Sequence, residues 1–363
     1  MRVLENPMAS GLLEFPTTVE GLTKEWLTAA LSQRFPNTVV SSLKVVRVIW
    51  GTATKVLLTA EYAGDQGVVR PPRDLCVKAC LDERVKGLAD PSLFVREAGF
   101  YRDLAAQLAI PQPRTWYADS DSRATQGIIV FDDLSPEGVT FGEPGGETYS
   151  PDTVVSGVET QACWHAATWD AKPGRYSWLR PGGATRLVAA NLLTEDYWHG
   201  HFNQKGAPVL PQGLQDRQKI HAALKRLWQL DDASTYCLAH GDAHIGNTYV
   251  DPAGKVGFID WQSVCLGPWS YDVAYFVGGA LTISDRRVHE RDILAHYLKC
   301  LAANGGPLIA MEDAWPDYVR HTLHGFLWAL TPSAFQPLER VVAMADRYLA
   351  AMIDHDTLSA LGL

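Results

Sequence analysis

Apolar positions up to residue 131 fall mostly in short strand-like runs, and from Pro151 onward they recur at helical spacing. Strands are expected over 43–50, 56–62, 74–80, 115–118 and 127–131, with a polar turn at 119–125 between the last two. A short amphipathic helix, KEWLTAALSQRF, precedes them, with Trp26, Leu27, Ala30 and Leu31 on one side. Thr23 is its expected N-cap, and Pro36-Asn37 ends it. A second helix, SLFVREAGFYRDLAAQL, interrupts the strands. Phe94, Ala98, Tyr101 and Ala105 make its buried stripe, and Glu97 flanks that stripe. Residues 1–16 read as a loose lead-in, and 135–150, rich in glycine and proline, as a mobile loop or linker. Helices follow from Pro151, where Pro151 and Asp152 suit a first turn, and over 214–230, 286–301, 315–330 and 337–363.

One polar stretch departs from both periods: LAHGDAHIGNTYVDPAGKVGFIDWQ, residues 238–262. It begins as a loop, His240 to Asn247, with two glycines and no helical period. Thr248 to Val250 and Val256 to Ile259 read as two short strands joined by Asp251-Pro252-Ala253-Gly254, a strong turn signal. The hairpin brings Asn247 near Asp260, so an amide and a carboxylate converge where a hard cation binds by oxygen. Asp242 stands upstream on the same loop, free to act as a base.

Composition narrows the partners. The 363 residues are 47% hydrophobic and 20% charged, ordinary for a globular protein, and long enough for two or three domains. A net charge of −9 argues against nucleic acid as a main partner. The six cysteines include no CxxC pair and no zinc-spaced Cys/His cluster, which fits reduced thiols in a cytoplasmic protein. There is no signal-peptide pattern and no apolar run long enough to span a membrane.

The pattern H-G-D-x-H-x-G-N followed by I-D-W-Q resembles the catalytic and metal-binding segments of the aminoglycoside phosphotransferase and choline kinase superfamily, and most of all its ecdysteroid-kinase-like branch. Asp242 and Asn247 keep the five-residue step of the protein-kinase H-R-D-x-x-x-x-N, with Gly241 in place of arginine and Asp260-Trp261-Gln262 in place of D-F-G. The resemblance implies an α+β, protein-kinase-like bilobal fold: an antiparallel N-lobe sheet with one key helix, and a mainly helical C-lobe. It places the N-lobe at 1–133, the hinge at 131–134 and the C-lobe at 134–363. Within the C-lobe it sets a substrate insertion at about 135–235 and the catalytic loop and metal hairpin at 238–262.

The resemblance also implies roles. Asp242 would be the base, and Asn247 and Asp260 would hold Mg2+. Lys78, held by Glu97, would meet the phosphates of ATP, and Gly51 and Thr52 would cover them. Backbone groups of Phe131, Asp132, Asp133 and Leu134 would bind adenine. Asp272 reads as an N-cap, and in the family an aspartate there braces the catalytic loop. By alternation Cys76 and Cys80 share the face of Lys78, with packing their ordinary role. His321 and His324 have helical spacing without a third metal ligand, so packing is their expected role too.

The expected function is ATP-dependent phosphorylation of a hydroxyl on a small organic alcohol, a bulky or steroid-like one if the branch resemblance holds. Aminoglycosides would need converging carboxylates, for which Glu143, Glu147, Asp152, Glu159, Glu195 and Asp196 are candidates. Choline or ethanolamine would need an aromatic cage, for which Trp164, Trp169, Trp178, Trp198 and Trp228 are available. A nucleotide-binding pseudokinase or regulatory protein is the alternative of another class. Oligomeric state is not legible in the sequence.

Overall fold

The computed structural model describes residues 13–64, 71–84, 90–121 and 126–363. Most of the expected lead-in (1–12) and the tip of the 119–125 turn (122–125) lie outside the described residues. In α1 (Lys24–Ser32), the Thr23 hydroxyl accepts from Trp26 N at 3.2 Å, the cap the sequence predicts. Strands β1 (Val39–Ile49), β2 (Thr54–Ala63) and β3 (Asp74–Ala79) come next, then helix α2 (Ser92–Asp103), then β4 (Thr115–Asp121) and β5 (Gln126–Asp132). All five strands pair antiparallel in the order β1-β2-β3-β5-β4.

Strand alternation gives this sheet two uses. Leu75 and Val77 of β3 join Val56, Leu58, Ile128 and Val130 in a core closed by Trp26, Leu27 and Leu31 of α1. Each such aliphatic side chain contributes about 1.5–3 kcal/mol by leaving water. Cys76 packs instead against the other hydrophobic core, and Lys78 shares its side of β3. Helix α2 lies on that second side against β4 and β5. It comes close because residue 127 is glycine: a Cβ there would sit 2.1 Å from the carbonyl oxygen of Phe94.

The C-lobe is mainly helical. After β6 (Thr140–Phe141) come α3 (Pro151–Ala167), α4 (Gly183–Leu192), α5 (Glu195–Phe202) and α6 (Arg217–Asp232). Short strands β7 (Cys237–Ala239), β8 (Thr248–Val250), β9 (Val256–Phe258) and β10 (Cys265–Gly267) carry the polar stretch. Helices α7 (Trp269–Ala280), α8 (Ile283–Ala303), α9 (Met311–His321), α10 (Phe326–Ala329), α11 (Leu338–Asp354) and α12 (Thr357–Ala360) complete it. The single helix expected over 315–330 is broken. Thr322 Oγ1 donates to Val319 O at 2.8 Å, and the chain tightens into a 3-10 turn at Thr322–Gly325.

Residues 135–150 differ from the mobile linker that their composition suggests. β6 pairs with β8, Gly142 N donates to Thr248 O at 3.0 Å, and Tyr149 reaches Thr248 Oγ1 at 2.8 Å. The segment is thus bonded to the β8–β9 hairpin. Among the tryptophans, Trp164 is fully buried, Trp198 stacks on Phe326, and Trp178 donates to Asp103 at 2.7 Å. Those three are packing residues. The two lobes meet through stacked rings, with Phe100 of α2 lying 4.0 Å from Trp261, centroid to centroid.

Candidate active site

The hairpin forms in the expected register. Thr248 faces Phe258, and Ile259 N donates to Asn247 O at 2.9 Å, which sets Asn247 and Asp260 at the same open end. Asp251 Oδ1 ties the turn by accepting from Ala253 N and Lys255 N at 2.9 and 2.8 Å. Asp260 adopts a left-handed backbone, φ 66°, which aims its side chain away from the strand that leads into it.

The loop before the hairpin is held by one buried carboxylate. Asp272 accepts from His240 N at 2.7 Å and from Gly241 N at 3.0 Å, and His165 Nε2 lies 3.3 Å away. Burial pushes this carboxyl up, but the His165 hydrogen bond, the charges of His165 and His240 and the Gly241 N–H together hold it below the usual carboxylate range. Of the two readings of Asp272, the N-cap fails, since Pro268 occupies that position, and the brace agrees with the contacts, since Asp272 sits inside α7 and holds the loop. Gly241 is required where it stands. Its φ is 79°, and a Cβ would lie 2.3 Å from Ser263 O. Gly241→Ala is expected to lower stability by at least about 1–3 kcal/mol and to reduce turnover by moving the next residue. A urea midpoint within error of wild type would contradict this.

Asp242 projects from that loop with its side chain 41% exposed. Tyr275 Oη donates to its Oδ1 at 3.2 Å, and Asn247 Nδ2 donates to its Oδ2 at 3.1 Å and to its carbonyl at 2.9 Å. His244 Nδ1 accepts from Gly246 N at 2.9 Å, so the other nitrogen carries the proton and faces Asp242 Oδ2 at 3.8 Å. Burial lowers the His244 pKa despite the Asp242 charge, keeping the ring neutral.

A stack of rings lies beneath Asp242. His324 packs on Tyr271 and Tyr275 at 4.1 and 4.5 Å, and Tyr348 stacks on Tyr275 at 5.2 Å. His321 instead bonds Asp231 at 3.0 Å, so both histidines are packing residues, as expected. Burial, then His321, push His324 down to about 3. The unfolded chain takes up this proton below about pH 6.5 and the folded chain does not until about pH 3. Stability is therefore expected to fall by about 1.4 kcal/mol per pH unit across that window from this residue. His324→Phe should flatten the acid side of the urea-midpoint profile by that amount. An unchanged slope would refute the assignment.

The second cluster spans the lobes. Lys78 Nζ, buried, lies 2.7 Å from Glu97 Oε2 and 2.9 Å from Asp260 Oδ1. Lys55, opposite Lys78 in the β2–β3 ladder, lies 3.7 Å from Asp260 Oδ2. Glu97 Oε1 also accepts from Trp261 N at 3.1 Å, so α2 grips the backbone beside Asp260. Desolvation works against the Lys78 ammonium, but Asp260 and Glu97 outweigh it and raise its pKa. Burial likewise opposes the Asp260 anion, yet Lys78 and Lys55 hold it well below the usual range. The Asn247–Asp260 pair fits a hard cation. Asp260 is ionised, and Asn247 donates through Nδ2 to Asp242, so its Oδ1 is left without a partner among the described residues.

The remaining expected residues sit apart from these contacts. Gly51 and Thr52 form the β1–β2 turn, where a Cβ at Gly51 would meet only Ala53 O at 3.5 Å, so its backbone does not demand glycine. Phe131 ends in the sheet opposite Cys76. Asp132 N and Asp133 N donate to Arg114 O and Asp74 O at 3.1 and 3.2 Å, which leaves Leu134 N as the free hinge donor among the described residues. Lys55, His165 and Tyr275 escaped the sequence reading. Tyr275 lies one helical turn past Asp272, the one periodic cue to it.

The sequence matches the model described as the phosphotransferase enzyme family over residues 84–309. No curated protein matches it. Solved structures share its fold at low identity. The amicoumacin kinase hAmiN, solved with AMP-PNP, Ca2+ and Ami, aligns at TM-score 0.52 and 12% identity, covering 93% of this chain and 95% of that one. A Ralstonia eutropha JMP134 protein assigned as an aminoglycoside phosphotransferase aligns at 0.51 and 15%, covering 92% and 98%. A microcompartment-associated aminopropanol kinase aligns at 0.50 and 16%, covering 93% and 98%.

Proposed function

Because the chain belongs to the phosphotransferase enzyme family, we propose that it transfers the γ-phosphoryl group of ATP to a hydroxyl of a small organic alcohol. The observation that carries this reading is Asp242: a half-exposed carboxylate fixed by Tyr275 and Asn247, on the loop whose far end pairs with Ile259, next in the chain to the Asp260 that binds Lys78. Phosphoryl transfer asks for positioning and charge neutralisation more than covalent help. In this reading Asp242 orients the acceptor hydroxyl and takes its proton. Lys78, oriented by Glu97, meets the phosphates, and Gly51 and Thr52 cover them. Leu134 N in the 131–134 hinge is the donor offered to adenine. Asn247 and Asp260 would hold Mg2+, which when bound neutralises phosphate charge. The N-lobe (1–133) thus serves nucleotide and the C-lobe (134–363) serves acceptor, with 135–235 as its substrate side.

The family assignment stops short of the ecdysteroid-kinase-like branch, so the acceptor class rests on the site alone. Three of the carboxylates that could greet a polycation are already paired. Arg340 holds Glu143 at 3.2 Å, Lys255 and His296 hold Glu159 at 3.3 and 2.9 Å, and Arg217 lies 3.7 Å from Glu195. The groups beside Asp242 are a neutral imidazole, a tyrosine and the Asn247 amide, none of them charged. This supports a neutral, largely apolar alcohol over an aminoglycoside.

A coupled ADP-release screen with Mg2+-ATP tests it, using sterols, aromatic alcohols, amino alcohols, sugars and aminoglycosides. Turnover on the apolar alcohols is expected. Turnover confined to aminoglycosides would overturn the acceptor class. ATP binding without transfer to any alcohol would favour the pseudokinase reading.

A further inference from the structure

Helices α3 and α8 pack side by side in the C-lobe, and each carries two potential metal ligands one turn apart: Glu159 and Cys163 on α3, His296 and Cys300 on α8. Glu159 Oε1, His296 Nε2 and Cys300 Sγ lie within 4.8 Å of one another. The nitrogen is 2.9 Å from the carboxylate oxygen and 3.4 Å from the sulfur. Among the described residues this is the one such group of three.

We propose that Glu159, His296 and Cys300 form a binding site for a borderline-soft divalent transition-metal ion of the Zn2+ type. Three potential ligand atoms converge on one point, where His296 Nε2 offers either one proton or one lone pair and so cannot serve both of its neighbours well. A cation at that point satisfies all three. Four-coordinate Zn2+ sets its ligand atoms about 3.3–3.6 Å apart: the nitrogen–sulfur pair already has that spacing, the nitrogen–oxygen pair has to open slightly, and the oxygen and sulfur, within 4.8 Å, are drawn onto the ion. Water would fill the fourth position. Lys255 pairs with the other oxygen, Glu159 Oε2, at 3.3 Å, so it can stay while Oε1 turns to the metal.

The donor set separates this site from the catalytic one. A thiolate with an imidazole and one carboxylate selects Zn2+ or Co2+ over Mg2+, whereas Asn247 and Asp260 offer oxygen alone. The side chains of Glu159 and His296 are 34% and 37% exposed, which gives the ion a path in, and binding releases the thiol proton to solvent. None of the three touches Asp242, Asn247, Asp260, Lys78 or Glu97 through the hydrogen bonds and ion pairs described, so the proposal is independent of the phosphotransfer reading.

The test is a Co2+ titration of chelator-treated full-length protein in the presence of excess Mg2+. One equivalent is expected to produce a thiolate-to-cobalt charge-transfer band with tetrahedral visible bands, and Zn2+ should bleach both. Cys300→Ser should abolish the charge-transfer band. His296→Ala, which leaves every thiol in place, should weaken binding by more than roughly tenfold and serves alone should Cys300→Ser not fold. Zn2+ should also raise Tm of the wild type and of neither variant. No charge-transfer band, or a band and affinity that survive in His296→Ala, would overturn the site.

Discussion

Replacing Asp242 by alanine is expected to cut kcat by about 10²–10⁴-fold, the usual worth of a positioned acid–base group, with the fold intact and ATP affinity nearly unchanged. Among the described residues the carboxylate bonds only Tyr275, Asn247 and, at 3.8 Å, His244, and neither Lys55 nor Lys78. Its side chain is 41% exposed, so water can take over both hydrogen bonds when it is removed. The loop around it is held by other groups, chiefly Asp272. Ground-state binding and stability should therefore move little while the transition state loses its proton acceptor. Asp242→Asn is the sharper version: it keeps shape and the Tyr275 contact but removes basicity. ADP release with the acceptor found in the screen, alongside a urea melt and nucleotide titration, separates these effects. Near-wild-type kcat in either variant would sink the role assigned to Asp242.

How much of this was readable from the chain depends on how local each feature is. The hairpin was, because its strands, turn and flanking Asn247 and Asp260 occupy one contiguous stretch with strong turn chemistry. Lys78 and Glu97 were readable through resemblance, and their ion pair agrees with it. Lys55 was not. Its place beside Lys78 follows from β2–β3 register, which no local signal sets. Tyr275 and His165 were hidden for a similar reason, since each is an unremarked residue on an apolar helix until packing aims it. The 135–150 segment shows the converse error. Glycine and proline report backbone freedom, but the pairing of β6 with β8 is a tertiary bond that composition does not carry. The Glu159–His296–Cys300 cluster joins two helices 137 positions apart, beyond any spacing rule applied to one segment.

The two lobes are coupled at Asp260. Its carboxylate answers to lysines from the sheet, while Trp261 beside it is held by Glu97 and by the ring of Phe100. Helix α2 is therefore tied through Glu97 both to the backbone beside Asp260 and to Lys78.

The largest stability effect is expected at Asp272. Asp272→Ala would leave His240 N, Gly241 N and the His165 ring without their acceptor in a fully buried place. Each buried donor left without its acceptor costs about 1–3 kcal/mol, against a total stability of about 5–15 kcal/mol for a typical domain. The urea midpoint should fall by that free-energy cost divided by m, with m itself unchanged. Asp272→Asn, which keeps one acceptor oxygen, should recover part of it. Turnover should fall in both, because the loop that presents Asp242 loses its brace. The pH dependence follows from the depressed carboxyl. Its stabilisation is present above the unfolded pKa near 3.9 and is lost as pH falls through the lower folded value. The gap between wild type and Asp272→Ala should thus be full at neutral pH and shrink in strong acid. A gap below about 0.5 kcal/mol at pH 7, the scale of an ordinary surface change, would mean that the loop presenting Asp242 holds its shape without Asp272.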